Sequence, residues 1–255
     1  MNNLLKINPK EEVQKIQLFI KDVLSKQQKK NVVIGVSGGI DSATSLFLLK
    51  NSIPLDNIYV MHLPYFDNNF QDLGDVIEKI NLPKENVKII SIKPIVDSIV
   101  KTLDISEKDI IRRGNVMARA RMIALYDFAK KLDALVCGTE NKSEFHLGYF
   151  TRFGDEASDF EPIRHLYKTQ IYEIAKYLKV PQSVIGKVPS ANLWEDQTDE
   201  NEFGFSYEEA DNVLYLHFDK NMKIKEIKES GFENAEKIIE FVQKNAYKHN
   251  VPYKI

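Results

Sequence analysis

The sequence has little of the features that mark several large classes of protein. It contains one cysteine, Cys137, among 255 residues, which excludes an internal disulfide framework and a zinc site built from several cysteines. No apolar run approaches the roughly 20 residues that a membrane-spanning helix requires. The first residues also lack the apolar segment of a signal peptide. A cytoplasmic location and no membrane partner are therefore expected.

The sequence also lacks an excess of charge of either sign. It has 35 lysine and arginine residues against 37 aspartate and glutamate residues, and its formal net charge is −2. Because a global positive charge would be typical of nucleic-acid binding, no nucleic-acid partner is expected. Hydrophobic residues make up 43% of the chain, which is enough for a core, and no repeat or low-complexity segment divides it. We therefore treat residues 1–255 as one domain.

Apolar strands and amphipathic helices alternate along the first half of the chain. Strands are predicted at 32–36, 57–63, 87–92 and 134–138, with helices before, between and after them, including a long one at 109–131. This alternation predicts an α/β fold with a doubly wound parallel sheet and helices on both faces. Residues 149–161 are predicted to be an irregular loop, either a mobile lid or a plain connection. A polar stretch, 189–204, precedes a helical C-terminal part that opens with a capping box at 206–209.

The most informative segment follows the first strand. Residues 37–39 read Ser-Gly-Gly, and Asp41 opens a helix. A strand, a glycine turn and a helix N-terminus direct free N–H groups and the helix dipole at one point, which favours phosphate binding. A carboxylate repels a bare phosphate but suits a Mg²⁺ ion that lies between it and the phosphate oxygens. The alternative is an ordinary turn with an aspartate near the helix start.

Several blocks of sequence carry a resemblance to one family. Residues 37–42, Ser-Gly-Gly-Ile-Asp-Ser, resemble the SGGxDS pyrophosphate loop of the ATP pyrophosphatases, which split ATP between the α and β phosphates. Other blocks resemble NAD synthetases in particular: the GNxxARxRM helix (114–122), the GTxxxxE segment (138–144), the YGD…D loop (153–159), the lysine after it (166–168), the P-[ST]-A-x-L-W segment (189–194) and the segment 197–207. The resemblance covers residues 31–210 and implies an adenine nucleotide alpha hydrolase-like fold.

This resemblance implies a reaction. ATP would adenylate deamido-NAD (nicotinic acid adenine dinucleotide), and ammonia would displace AMP, giving NAD, AMP and pyrophosphate. The resemblance implies ATP as co-substrate, Mg²⁺ as the metal, and a homodimer whose interface helps to bind deamido-NAD. Glutamine-dependent members add a long amidase domain, for which 255 residues leave no room, so ammonia is the expected nitrogen donor. The apolar residues of the helix at 109–131 either form the dimer interface or pack against the sheet.

The resemblance also assigns roles to individual residues. Asp41 and Glu144 are implied as Mg²⁺ ligands, because two carboxylates at neighbouring strand ends suit a hard cation. Asp41, Lys168 and Asp159 are the implied catalytic residues: Lys168 neutralises phosphate charge in the transition state, and Asp159 helps to position ammonia. The implied ATP-binding residues are Gly35, Val36, Ser37, Gly38, Gly39, Ile40, Asp41, Ser42, Thr139, Lys168 and Ser190. The implied deamido-NAD-binding residues are Arg119, Arg152, Asp159 and Lys248.

The chain departs from the family pattern at two places, and two other functions stay open. Met117 stands where lysine is frequent, and residues 247–249 read Tyr-Lys-His in place of His-Lys-Arg. Taken alone, Glu144 and Lys168 would be interpreted as solvated charges. One alternative function is another ATP pyrophosphatase, such as a tRNA-modifying enzyme, although the basic appendage or cysteine pair that it favours is missing. The other is a non-catalytic nucleotide-binding module.

Overall fold

A four-stranded parallel sheet forms the centre of the fold. The computed structural model describes residues 4–66, 71–191, 193–194, 196–250 and 252–253, so that Asn192 of the segment 189–194 lies outside the described residues. The strands are β1 (Asn31–Gly35), β2 (Ile58–His62), β3 (Val87–Ile89) and β4 (Ala134–Cys137). Their order is β3-β2-β1-β4. The strand order reverses at β1, and ligands of such sheets bind at the carboxyl ends beside the reversal.

Helices cover both faces of the sheet and make up the C-terminal part. The first seven are α1 (Pro9–Lys26), α2 (Ile40–Lys50), α3 (Gln71–Ile80), α4 (Lys93–Thr102), α5 (Ile110–Lys131), α6 (Lys142–Leu147) and α7 (Lys168–Leu178). The others are α8 (Gln182–Ile185), α9 (Asp199–Phe203), α10 (Tyr207–Leu214), α11 (Ile224–Glu229) and α12 (Ala235–Asn245), with a π-helical turn over Tyr215–Asp219. Within the described part of the chain, none of the helices combines the length and the apolar character needed to cross a lipid bilayer.

Three apolar clusters hold these elements together. One joins α1, α2, α3 and α7 to one face of the sheet, and a second joins α4 and α5 to the other face. The third lies under the C-terminal helices α10, α11 and α12. In α5, Leu125 and Phe128 pack in the sheet cluster, whereas Ile123 is exposed, so this helix mainly covers the sheet. The predicted doubly wound parallel sheet with a helical C-terminal part is confirmed.

The structure differs from the sequence predictions in three details. Strand β3 ends at Ile89 rather than Ile92, although the backbone N–H of Ile90 still donates to the carbonyl of His62 at 3.0 Å. The polar stretch 189–204 contains a short helix, α9, which the hydroxyl of Thr198 caps. Only half of the predicted capping box forms at 206–209, because the carboxylate of Glu209 accepts from Asn234 Nδ2 at 2.8 Å instead of closing the box.

Two glycines give opposite predictions for stability. Gly38 has φ +85°, where an L side chain is strained, while Gly74 lies inside α3 and a Cβ added there meets nothing within 4 Å. Gly38→Ala is expected to lower the free energy of unfolding by about 1–2 kcal/mol. Gly74→Ala, the matched control, is expected to raise it by about 0.5–1 kcal/mol. Urea denaturation measures both variants. If Gly38→Ala unfolded with the same free energy as the wild-type chain, the turn would not require a left-handed residue.

Candidate active site

The loop between β1 and α2 is held by its own hydroxyl groups. Ser42 Oγ donates to the carbonyl of Gly39 at 3.1 Å, and the N–H of Ser37 donates to Ser42 Oγ at 3.2 Å. The N–H of Gly39 donates to Ser37 Oγ at 3.2 Å. Gly39 occupies the N-cap position of α2 and has no side chain to cap it. The first N–H groups of α2 are thus directed at the carboxyl edge of the sheet, as an anion-binding loop requires.

Three predicted site residues from distant parts of the chain meet beside this loop. Lys168, the first residue of α7, places Nζ 2.5 Å from Asp41 Oδ2 and 3.3 Å from Glu144 Oε1. Asn141 connects the two acidic residues, since its Nδ2 donates to Asp41 Oδ1 at 2.9 Å, its Oδ1 accepts from the backbone N–H of Glu144 at 3.0 Å, and its own backbone N–H donates to Glu144 Oε2 at 3.4 Å. The cap of α6 therefore directs Glu144 toward Asp41. We call these three residues, Asp41, Glu144 and Lys168, the carboxylate–lysine cluster.

The cluster is largely shielded from solvent. The Lys168 side chain is 3% exposed, and those of Asp41 and Glu144 are 16% and 17% exposed. Burial raises the pKa of Glu144, and the positive charge of Lys168 offsets only part of this rise. Burial opposes the charged form of Lys168, but Asp41 and Glu144 outweigh it and raise the pKa of the lysine. The ammonium group thus stays charged, and the interpretation of Lys168 as a solvated surface charge is wrong.

A second layer of polar groups, which the sequence did not single out, supports the cluster. Asp199 of α9 accepts from the hydroxyls of Tyr207 at 3.0 Å and Tyr149 at 3.2 Å. The Tyr207 ring centroid lies 5.0 Å from Lys168 Nζ. Burial raises the pKa of Asp199, and the charge of Lys168 opposes that shift. The one signal in the sequence is that Asp199 and Tyr207 belong to the block 197–207, which resembles NAD synthetases.

The residue types in the carboxylate–lysine cluster are suited to binding a divalent cation. Two carboxylates already contact one cationic group, the Lys168 ammonium. Mg²⁺ in nucleotide sites usually takes one or two protein carboxylates and completes its shell with phosphate oxygens and water. Among the described residues, no three or more histidine, cysteine, aspartate or glutamate side chains gather as a metal cage. The two carboxylates thus match a metal that arrives with a nucleotide.

The basic residues predicted to bind a dinucleotide gather around residues 148–153. Arg119 Nε donates to the carbonyl of Arg152 at 3.3 Å, and Lys248 Nζ donates to the carbonyls of Gly148 at 2.6 Å and Phe150 at 2.9 Å. The Arg152 guanidinium lies 5.2 Å from the ring centroid of Tyr247, a position with no predicted role. Burial lowers the pKa of Lys248. These side chains form a positive face beside the irregular loop.

Of the remaining predicted residues, Asp159 and Thr139 lie beside β4, and Ser190 lies in a segment that contacts the second layer. Asp159 accepts from the N–H of Val136 at 2.7 Å, so it lies next to β4. Thr139 follows the end of β4 and is half-buried, as is Ser190. The carbonyl of Pro189, next to Ser190, accepts from the N–H of Asp199 at 3.1 Å, which ties that segment to the second layer. No hydrogen bond or ion pair joins Asp159 to Arg119, Arg152 or Lys248 within the described residues.

The departure at Met117 has a structural explanation. Its side chain is 1% exposed and packs in the apolar cluster between α5 and the sheet. A charge at this position would have to be buried there without a visible partner, which is costly. The positive charges beside residues 148–153 therefore come from Arg119, Arg152 and Lys248 and not from position 117.

The comparisons with known proteins agree with this geometry. The family described as NAD synthase matches residues 12–252. An NH(3)-dependent NAD(+) synthetase from Pyrococcus furiosus is 43% identical over 94% of this chain and 90% of its own length. One from Fusobacterium nucleatum is 38% identical over 98% of this chain and 97% of its own length.

Solved structures show the same fold. An NMN synthetase from Francisella tularensis has a TM-score of 0.84 at 33% identity and covers 98% of this chain and 99% of its own. An NH3-dependent NAD synthetase from Campylobacter jejuni, in complex with nitrate, has a TM-score of 0.81 at 32% identity, with 98% of this chain and 100% of its own covered. The family match covers residues 12–252, and the two curated relatives are 43% and 38% identical over nearly the whole chain. The chain belongs to the NAD synthase family.

Proposed function

We infer that the chain is an ammonia-dependent NAD synthetase, a carbon–nitrogen ligase. It amidates deamido-NAD with ammonia, consumes ATP, and releases AMP and pyrophosphate. The observation that carries this inference is the carboxylate–lysine cluster beside an uncapped helix N-terminus, in a chain similar over its length to NH(3)-dependent NAD(+) synthetases. A non-catalytic nucleotide-binding module has no need of such a cluster.

The loop 35–42 binds the triphosphate of ATP. The N–H groups of Gly38 and Gly39 and the hydroxyls of Ser37 and Ser42 hold the pyrophosphate, while Gly35, Val36 and Ile40 shape the loop. Thr139 and Ser190 offer hydroxyls to ATP from the neighbouring strand end and from the segment after α8. Lys168 neutralises the charge that grows on the departing pyrophosphate.

Asp41 and Glu144 would hold Mg²⁺ when the nucleotide binds. When bound, Mg²⁺ supplies positive charge that stabilises the leaving pyrophosphate. Glu144 must lose its proton to serve as a ligand, a loss that burial opposes because it raises the pKa of the carboxyl group. The Lys168 ammonium favours that loss, since it lies 3.3 Å from the carboxylate. Lys168 thus acts on the phosphates and on the metal ligand together.

Arg119, Arg152 and Lys248 bind deamido-NAD. The guanidinium groups suit the pyrophosphate and the nicotinate carboxylate of a dinucleotide. The nucleophile for adenylation is the substrate carboxylate, so the protein supplies no nucleophile of its own. This agrees with Cys137, which is buried and whose thiol pKa is raised by that burial. Asp159, at the edge of β4, positions ammonia for attack on the adenylate.

The chain acts as a homodimer. Apolar side chains are exposed on the neighbouring elements β3, α4 and the start of α5: Ile89, Ile90, Ile95, Leu103, Ile110 and Ile111. A patch of this kind, at the edge of a sheet, is typical of a protein–protein interface.

A charge in this apolar patch tests the dimer. Ile111→Glu is expected to weaken self-association by about 2 kcal/mol, because it places a charge in an apolar interface. Leu18→Glu is the matched control, since Leu18 is exposed to a similar extent (68% against 65%) but lies on α1. Sedimentation equilibrium over a range of concentrations measures both variants. A monomeric wild-type chain, or an equal effect of both substitutions, would contradict the proposed interface.

Product analysis tests the proposed function. Purified protein is incubated with ATP, Mg²⁺ and deamido-NAD, with ammonium in one tube and glutamine in another. NAD and AMP in equal amounts with ammonium alone would support the proposal. A third tube contains nicotinic acid mononucleotide, because one solved structure of this fold is described as an NMN synthetase. Faster formation of NMN than of NAD would make nicotinic acid mononucleotide, rather than deamido-NAD, the preferred substrate. The absence of AMP from every tube would overturn the proposal.

A further inference from the structure

The two helices that carry Glu144 and Lys168 begin next to each other. Helix α6 begins at Lys142 and α7 begins at Lys168, and the backbone N–H of Lys142 donates to the carbonyl of Leu166 at 2.8 Å. The backbone N–H of Lys168 donates to Ser143 Oγ at 2.8 Å, and Ser143 directly precedes Glu144. The distance between Glu144 and Lys168 therefore depends on how these two helix starts are held together.

Asp211 of α10 contacts both helix starts from the C-terminal part of the chain. Its Oδ1 accepts a hydrogen bond from Ser143 Oγ at 2.5 Å, and its Oδ2 accepts from the backbone N–H of Thr169 at 2.8 Å. These two donors are the sequence neighbours of Glu144 and Lys168. One carboxylate thus links the residue before Glu144 to the residue after Lys168.

Asp211 places a carboxylate where packing alone would favour an apolar side chain. The residue is fully buried in the core of the C-terminal part, and among the described residues no lysine, arginine or histidine forms an ion pair with it. Burial raises its pKa, and the hydrogen bonds from Ser143 and Thr169, together with the charge of Lys168, oppose that shift. Because burying a carboxylate is costly, these hydrogen bonds are the reason that it is tolerated here.

Asp219 makes a second link between the same two helix starts. It lies at the end of the π-helical turn that follows α10 directly. Its Oδ1 lies 2.6 Å from Lys142 Nζ, and its Oδ2 accepts from the hydroxyl of Tyr167 at 2.5 Å. Lys142 is the first residue of α6, and Tyr167 directly precedes Lys168. Two carboxylates from one helical segment therefore bridge α6 and α7 beside the carboxylate–lysine cluster.

We propose that Asp211 and Asp219 are positioning residues for adenylation, which hold Glu144 and Lys168 at the distance that the reaction requires. In the described part of the chain, neither carboxylate forms a hydrogen bond or an ion pair with a member of the carboxylate–lysine cluster. Each acts through the helix starts that it contacts. The proposal rests on the proposed function, and it adds two residues of the C-terminal part that the cluster itself does not identify.

Steady-state kinetics on Asp211→Asn tests the first link. The amide replaces one accepting oxygen with an N–H donor, so it cannot accept from both the Ser143 hydroxyl and the Thr169 N–H. The kcat for AMP formation is expected to fall about 10- to 100-fold, the usual effect of removing a group that orients an active-site residue. The KM for deamido-NAD is expected to stay at the wild-type level, because its proposed binding residues lie beside residues 148–153.

A double-mutant cycle with Lys168→Met separates positioning from a general loss of structure. If Asp211 acts by placing Glu144 against Lys168, the double variant is expected to have nearly the kcat of Lys168→Met alone. Glu208→Gln, which removes an exposed carboxylate from the same helix, is the matched control and should change neither kcat nor KM. A wild-type kcat in Asp211→Asn would overturn the proposal, as would a double variant whose loss is the product of the two single losses.

Asp219→Ala keeps the proposal testable if Asp211→Asn does not fold. The Asp219 side chain is 34% exposed, so its removal leaves the apolar core intact. This variant is expected to lower kcat without raising the KM for deamido-NAD, and to have little further effect in the Lys168→Met chain. An unchanged kcat in Asp219→Ala, or losses that multiply in the double variant, would overturn the proposal. A wild-type chain that forms no NAD would instead overturn the proposed function.

Discussion

Asp41→Asn is expected to reduce AMP formation from ATP and deamido-NAD roughly a thousandfold, which is the size of effect seen when a transition-state contact is removed from a shielded site. The amide keeps the shape of the side chain but loses the charge that contacts Lys168 at 2.5 Å. It also loses the charge that we propose for Mg²⁺. Adenylation therefore lacks both the metal bridge and a correctly held lysine.

Asp72→Asn is the matched control for this experiment. The Asp72 side chain packs near Gly38 and its carboxylate accepts from Lys187 Nζ at 2.8 Å, so it is an aspartate beside the same loop. It has no part in the carboxylate–lysine cluster and is expected to retain most of the activity. Thermal unfolding of both variants confirms that they are folded. Near-wild-type AMP formation by Asp41→Asn would disprove the metal assignment, and equal losses in both variants would point to a general disturbance of the loop.

Lys168→Met is expected to lower kcat roughly a hundredfold or more and to change the pH dependence of what remains. The positive charge of Lys168 lowers the pKa of Glu144, so its removal lets burial raise that pKa further. A smaller fraction of Glu144 is then deprotonated and able to bind a metal at a given pH. The residual activity of the variant is therefore expected to rise with pH over a range in which wild-type activity has already levelled off.

The control for this substitution lies on the same helix. Lys176→Met removes an exposed lysine from α7 and should alter neither kcat nor the pH profile. Stability also has to be measured, because removing one partner of a buried ion pair costs about 3–5 kcal/mol. If Lys168→Met keeps the wild-type kcat, Lys168 has a structural role only. A reduced kcat with an unshifted pH profile would disprove the coupling to Glu144.

The sequence predicted Asp41 and Glu144 to lie at the same edge of the sheet, and the family resemblance implied that they act as a pair. Each follows a predicted parallel strand, and the carboxyl ends of adjacent strands meet at one edge of a sheet. Lys168 was predicted only through the family resemblance, because nothing in its local sequence distinguishes it from a surface lysine. Its position is set by tertiary contacts such as the one with Ser143, whose Oγ accepts from the backbone N–H of Lys168 at 2.8 Å and which lies 25 positions earlier in the chain.

Asp199 and Asp211 show what sequence patterns do not reveal. Asp199 lies in a polar stretch in which no apolar periodicity indicates the short helix α9, and its contact with Tyr149 joins residues 50 positions apart. Asp211 lies in a predicted helix, but its contacts with Ser143 and Thr169 join residues 68 and 42 positions apart. Such tertiary contacts are set by packing between elements, on which local propensity carries no information.

Transfer of oxygen from substrate to AMP is the most direct test of the central claim, that the carboxylate–lysine cluster drives adenylation of a substrate carboxylate. Deamido-NAD is labelled with ¹⁸O in its nicotinate carboxylate and converted with ATP, Mg²⁺ and ammonium, and the products are analysed by mass spectrometry. We predict one labelled oxygen in the phosphate of each AMP and none in pyrophosphate. Label in pyrophosphate or inorganic phosphate, or NAD formation without labelled AMP, would contradict the account.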